Sequence, residues 1–100
     1  MIPVEENKVR LTGKVVKVTS YEVPSNAEED PMDVTKVTIA VTRKDGGVDK
    51  IPIRAYRDSA FDWSNVKVGD IVTAEGEIRV KVRRPFYFVY VEVEEPPTFW

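Results

Sequence analysis

The segment "VKVGDIVTAEGEIRVK", Val66 to Lys81, constrains the fold more than any other part of the chain. After the Val68-Gly69-Asp70 turn, Val72, Ala74, Gly76, Ile78 and Val80 take one parity. Ile71, Thr73, Glu75, Glu77, Arg79 and Lys81 take the other. Side chains alternate across a strand, so the pattern predicts a long strand with one apolar and one charged face. Gly76, at its middle, marks a bend or a close backbone approach. A long strand that bends can serve both halves of a closed barrel.

The remaining segments agree with closure. Asn7 to Thr19 reads as a first strand, with Val9 and Leu11 inward and Lys8, Arg10, Thr12 and Lys14 outward. Gly13 and the Val15-Val16 doublet break the alternation and predict a bulge or sharp bend. Val34 to Lys44 places Val37, Ile39 and Val41 inward, and Asp45-Gly46-Gly47 supplies a tight hairpin. The returning strand, Asp49 to Arg57, places Ile51, Ile53 and Ala55 inward. Pro52, on its outer set, predicts that one side of this strand is unpaired. Asp58 to Val66 fits one short helix, N-capped by Asp58 and anchored by Phe61 and Trp63.

The fifth strand, Phe86 to Glu94, carries Phe86, Phe88 and Tyr90 on one face and Tyr87, Val89, Val91 and Val93 on the other. The aliphatic set is the expected core. Three outward rings call for a cover, and a second subunit or the chain's own loop or tail suits it better than bases. Five strands with a helix between the third and fourth predict an all-β fold, a five-stranded Greek-key OB-fold barrel. Residues 1–95 form its single domain, with a flexible acidic loop over about 20–34 and a short tail at 96–100.

Composition narrows the chemistry. The 100 residues contain neither cysteine nor histidine. This excludes disulfides, thiolate or imidazole metal sites and every Ser-His or Cys-His nucleophile pair. The carboxylates sit in loops with nothing to tune them apart, and no glycine-rich phosphate loop exists, so neither an enzyme nor a cofactor is expected. Glu28-Glu29-Asp30 lacks the spaced ligands of a calcium loop, so no metal is expected either. The absence of a long apolar run and of a signal-peptide pattern points to a cytoplasmic protein without a membrane partner.

The net charge of −2 conceals a basic body. Ten of the seventeen acids lie in residues 1–7, 20–35 and 91–100, where no basic residue falls; the rest carries a net +8. Its cations concentrate on the outward set of the second and third strands: Lys36, Lys50 and Arg54, with Thr38, Thr42 and Tyr56 beside them and Arg43 and Lys44 at the hairpin. Lys81, Arg83 and Arg84 lie before Phe86 at the next turn. Cations neutralise phosphates and release counterions, while an aromatic face offers a base somewhere to stack. The same residues also suit solvated outer positions of any barrel.

Several stretches resemble bacterial-type single-stranded DNA-binding proteins. "NKVRLTGKV" is similar to that family's opening strand, "VTIAVTR" and "IPIRAYRDSA" to its second and third strands and helix start, and "VKVGDIVTAEGEIRVK" to its Lys-Gly-Asp turn and fourth strand. Primosomal replication protein B, a diverged relative, is similar in the same places. The resemblance spans residues 7–93. It implies binding of single-stranded DNA in replication and repair, and a dimer or tetramer formed through first-strand pairing across subunits. At positions where the family stacks bases, Tyr56 keeps a ring while Lys50 and Arg83 substitute cations. The ending "EVEEPPTFW" is similar to the family's acidic, partner-docking tip, which makes replication proteins further partners; the alternative is that Phe99 and Trp100 pack on the barrel. Two other functions fit the same residues: a protein-interaction OB module and an RNA-binding OB domain.

Overall fold

The computed structural model describes residues 4–24 and 31–100. Its strands are β1 (Val9–Val23), β2 (Met32–Thr42), β3 (Val48–Tyr56), β4 (Ile71–Arg83), β5 (Phe86–Val93) and β6 (Thr98–Phe99), with one helix, α1 (Asp58–Ser64). The strand order β1-β2-β3-β5-β4-β6, with an added β1–β4 pairing, closes β1, β2, β3, β5 and β4 into a ring. Every contact is antiparallel except the parallel β3–β5 seam.

Two strands turn corners to close this ring. The first half of β1 pairs with β4 and the second with β2, and Lys14 belongs to both ladders. Register shifts between Val15 and Lys17, leaving Val16 as the bulge that the Val15-Val16 doublet predicts. The Gly-Asp turn is stitched to this bend: Gly69 N–H donates to the Val15 carbonyl and Val15 N–H to the Asp70 carbonyl, both at 2.8 Å. Gly69 has φ of 101°, a conformation that favours glycine. At Gly76, β4 leaves β1 and takes up β5; a Cβ there would collide with the Glu92 carbonyl oxygen. Backbones approach too closely at this corner for any side chain.

Val15, Val37, Ile39, Ile53, Ala55, Val72, Ala74, Val91 and Val93 fill the barrel, with Trp63 and Val66 closing one end. The helix differs from expectation. Ser59, Ala60 and Trp63 are its buried residues, while Phe61 is 71 % exposed on the opposite side. The Trp63 ring N–H donates to the Glu95 carbonyl at 2.9 Å, which lets a polar ring be fully buried. Asp58 is the first helical residue rather than the cap. Arg57 precedes it at φ 56° without a capping side chain, and the Ser59 hydroxyl instead bonds the Tyr56 backbone.

Three boundaries move. The acidic loop expected over 20–34 is shorter, because β1 and β2 pair through Ser20↔Thr35, Tyr21↔Val34, Glu22↔Asp33 and Val23↔Met32. Residues 25–30, including Glu28, Glu29 and Asp30, lie outside the described residues. The tail is not free: Thr98 and Phe99 pair with Thr73 and Val72 as β6. In β5, Val91 and Val93 are core, but Val89 and Tyr87 are exposed. The cause is geometric. Pairing to β1 ends at Gly76 and pairing to β3 begins only at Val91, so the outer parts of β4 and β5 form a two-stranded arm. Pro52, as expected, sits on β3 beyond this β5 seam. Among the described residues no helix is long and apolar enough to cross a membrane.

Candidate nucleic-acid interface

Directly opposed residues on paired strands face the same side, so the register arranges the outward side chains in rows. Tyr21, Val34 and Tyr56 form one row across β1, β2 and β3. Thr19, Lys36 and Arg54 form the next, followed by Lys17, Thr38 and Pro52. Val34 points outward yet is only 2 % exposed, flanked by two tyrosines. On the arm, Arg79 opposes Tyr90, Lys81 opposes Phe88 and Arg83 opposes Phe86. The rows border a groove of about 490 Å³ lined by Lys17, Tyr21, Lys36, Arg54, Phe88 and Tyr90, among others.

Two cations in this groove lie against rings. The Lys36 ammonium is 5.4 Å from the Tyr21 ring centre, and the Arg54 guanidinium is 4.3 Å from that of Tyr90. Such contacts hold each cation over a π face instead of letting it sweep freely through solvent. Burial raises the Tyr90 phenol above its usual range, and the neighbouring Tyr56 phenol adds to the shift, against the opposing effect of Arg54.

The anticipated residues divide into two groups. Lys36 and Arg54 oppose one another in the groove wall, and Tyr56 lies one row away. Lys50 follows on the same outer face; Lys81, Arg83, Arg84 and Phe86 occupy the arm, whose turn contains a cis Arg84–Pro85 bond. Lys44 is exposed at the β2–β3 turn. Among the described residues, none of these cations makes an ion pair. Arg43 differs: Asp45 at 3.3 Å and Asp49 at 3.7 Å hold it at the hairpin, so its charge is locally matched. Arg79 is likewise matched by Glu77 and Glu92.

Sequence reasoning passes over Lys17, Tyr21, Phe88 and Tyr90 as groove residues. Tyr21 lies among prolines and acids that read as loop, and the bulge at Val16 is what turns Lys17 and Tyr21 outward. The sequence places Phe88 and Tyr90 under a cover supplied by a second subunit or by the chain's own loop or tail. The tail is not that cover, since β6 packs against the start of β4, away from both rings, and within the single chain Phe88 is 47 % exposed and Tyr90 half-buried. A larger depression of about 560 Å³ has Glu75, Glu77, Glu92, Glu94 and Glu95 in its lining against Lys8 and Arg10, a net negative field unsuited to phosphate.

No protein-family model matches the sequence, and no curated protein sequence matches it. Solved structures do. A dimeric structure of the N-terminal domain of PriB from Thermoanaerobacter tencongensis superposes with a TM-score of 0.70 at 23 % identity, over 96 % of this chain and 98 % of that one. The SSB domain of a Synechococcus sp. protein gives 0.71 at 14 % identity, over 94 % and 97 %. The fold is the OB-fold of these domains. On an OB-fold, the face of strands two and three and the loop between strands four and five are where oligonucleotides bind. The groove, with its two ring-bound cations, lies between those elements.

Proposed function

We propose that the protein binds single-stranded nucleic acid, DNA foremost, without reading base edges. The observation carrying this is the groove, where Lys36 and Arg54, without ion pairs among the described residues, meet Tyr21, Phe88 and Tyr90, with Tyr56 one row away. Cations take the phosphates and rings take the bases, a combination that tolerates any sequence. Duplex fits poorly, because its bases are already stacked on one another and offer no free faces to the rings. The fold shared with an SSB domain supports a role in replication or repair.

Self-assembly is the second part of the proposal, and it uses the arm's apolar set, of which Tyr87 and Val89 also border the groove. Ile78, Val80, Val82, Tyr87 and Val89 form that set, each at least 44 % exposed, and none is charged. A two-stranded ribbon is marginal alone in water, so this apolar side favours a second copy. First-strand pairing across subunits is the other route, and the fold shared with a dimeric PriB domain supports assembly by either. Anisotropy of labelled oligo-dT, oligo-U and duplex DNA at two salt concentrations tests the binding. Log-linear weakening with salt and a preference for single strands are expected; equal binding to duplex overturns the single-strand assignment.

A further inference from the structure

Trp100 is held in place and yet left open. Its backbone N–H donates to the Ile71 carbonyl at 2.9 Å. Its ring N–H donates to the Thr73 hydroxyl at 2.7 Å, which itself bonds the Thr12 hydroxyl at 2.7 Å. Thr73 points outward from β4, so the indole lies on the outer surface of the sheet. With its ring N–H satisfied, the residue remains 74 % exposed. A tryptophan anchored by two hydrogen bonds while most of its surface stays in water is preorganised for a flat, apolar ligand.

The register connects this ring to the groove. Trp100 bonds to Ile71; Ile71 opposes Lys14; Lys14 also opposes Ala40; and Ala40 opposes Lys50. These residues form one lateral row from Trp100, the residue after β6, across β4, β1, β2 and β3, beside the row of Lys17, Thr38 and Pro52 that borders the groove. Four strand spacings put Lys50 and Trp100 about 19 Å apart along the sheet. Lys14 and Lys50 make no ion pair among the described residues, and Ala40 between them raises no obstacle. On the far side of this row, Arg10 is matched by Glu75 at 3.5 Å and the glutamate-lined depression begins, which bounds a phosphate path at Lys14.

We propose that Trp100 is a second stacking platform, receiving a base of the strand that leaves the groove along Lys50 and Lys14. Single-stranded nucleic acid is the occupant because the row sets Lys14 and Lys50, without ion pairs among the described residues, beside a hydrogen-bonded indole. The proposal rests on the groove function above and extends the site beyond the β2–β3 face. Its consequence is a length threshold: an oligonucleotide that only fills the groove leaves Trp100 untouched, and a longer one covers it.

The chain has two tryptophans, and Trp63 is fully buried, so solvent-sensitive emission reports Trp100. Oligo-dT of about 6 and about 20 nucleotides spans the site sizes of single OB domains. Fluorescein anisotropy measures binding of each, while tryptophan emission and acrylamide protection measure cover of Trp100. The long oligonucleotide is expected to quench and protect Trp100, and the short one to do neither while still binding. Trp100→Ala should weaken the long oligonucleotide at least about fivefold and leave the short one unchanged. Trp100→Phe, which keeps a ring, should recover most of the loss, whereas a purely structural role of the ring N–H predicts no recovery. Tight binding of the long oligonucleotide without change at Trp100, or equal affinity in Trp100→Ala, overturns the platform alone. Failure of both lengths to bind overturns the groove function with it.

Discussion

At the residue scale, the groove depends on cations being held where phosphates pass. Lys36 and Arg54 oppose one another across β2 and β3, and each lies against a tyrosine. Replacing Arg54 and Lys50 by glutamate reverses two charges on this face. Affinity for oligo-dT should fall more than tenfold, and the slope of log affinity against log salt should flatten by about one per lost phosphate contact. Circular dichroism should show an unchanged barrel, since both side chains point outward. Tyr21→Ala and Tyr56→Ala should each cost about 1–3 kcal/mol of binding if bases stack there. Anisotropy titration checks this, and a loss near zero for both removes stacking from that row. Tyr56 is legible in the sequence from strand alternation alone. Tyr21 is not, because its facing depends on a one-residue bulge, and a slip of one residue sends every later side chain to the other face.

At the element scale, the β4–β5 arm has two chemically different sides. Arg79, Lys81 and Arg83 share one with Phe86, Phe88 and Tyr90, while Ile78, Val80, Val82, Tyr87 and Val89 share the other. Alternation in the sequence gives these two sets correctly but not their burial, since an alternating strand looks the same inside a barrel and beyond its rim. Where pairing stops decides the matter, and that is a property of β1 and β3 rather than of the arm. Val80→Lys with Val89→Glu places charges on the apolar side at directly opposed positions. Opposite charges across a ladder are tolerated, so the hairpin should persist. Light scattering should then report monomers where the unmodified chain reports an oligomer. An oligomer that survives the change assigns assembly to first-strand pairing instead. Gly76→Ala acts on the arm's root: its Cβ meets the Glu92 carbonyl, and unfolding experiments should show a loss of about 1–3 kcal/mol.

For the whole molecule, closure of the ring leaves part of one edge of β4 bare, and the end of the chain covers it. β5 pairs with β4 from Gly76 onward, so the same edge at Val72 and Thr73 would otherwise face water. Thr98 and Phe99 supply the missing ladder, the Trp100 N–H continues it to Ile71, and the Glu95 carbonyl accepts the Trp63 ring N–H on the way. The acidic-aromatic ending reads in the sequence as either a docking tip or a packed tail, because its composition suits both; only the free edge of β4 distinguishes them. Removing Thr98 to Trp100 exposes Thr73 together with this edge and frees residues 94–97 to fray from Trp63. Two or three net hydrogen bonds, offset by the regained chain entropy, amount to about 1–2 kcal/mol. In a domain of this size that lowers Tm by roughly 4–16 °C, which differential scanning calorimetry resolves. An unchanged Tm makes the ending a free tip, available to partners and unavailable to hold Trp100 in place.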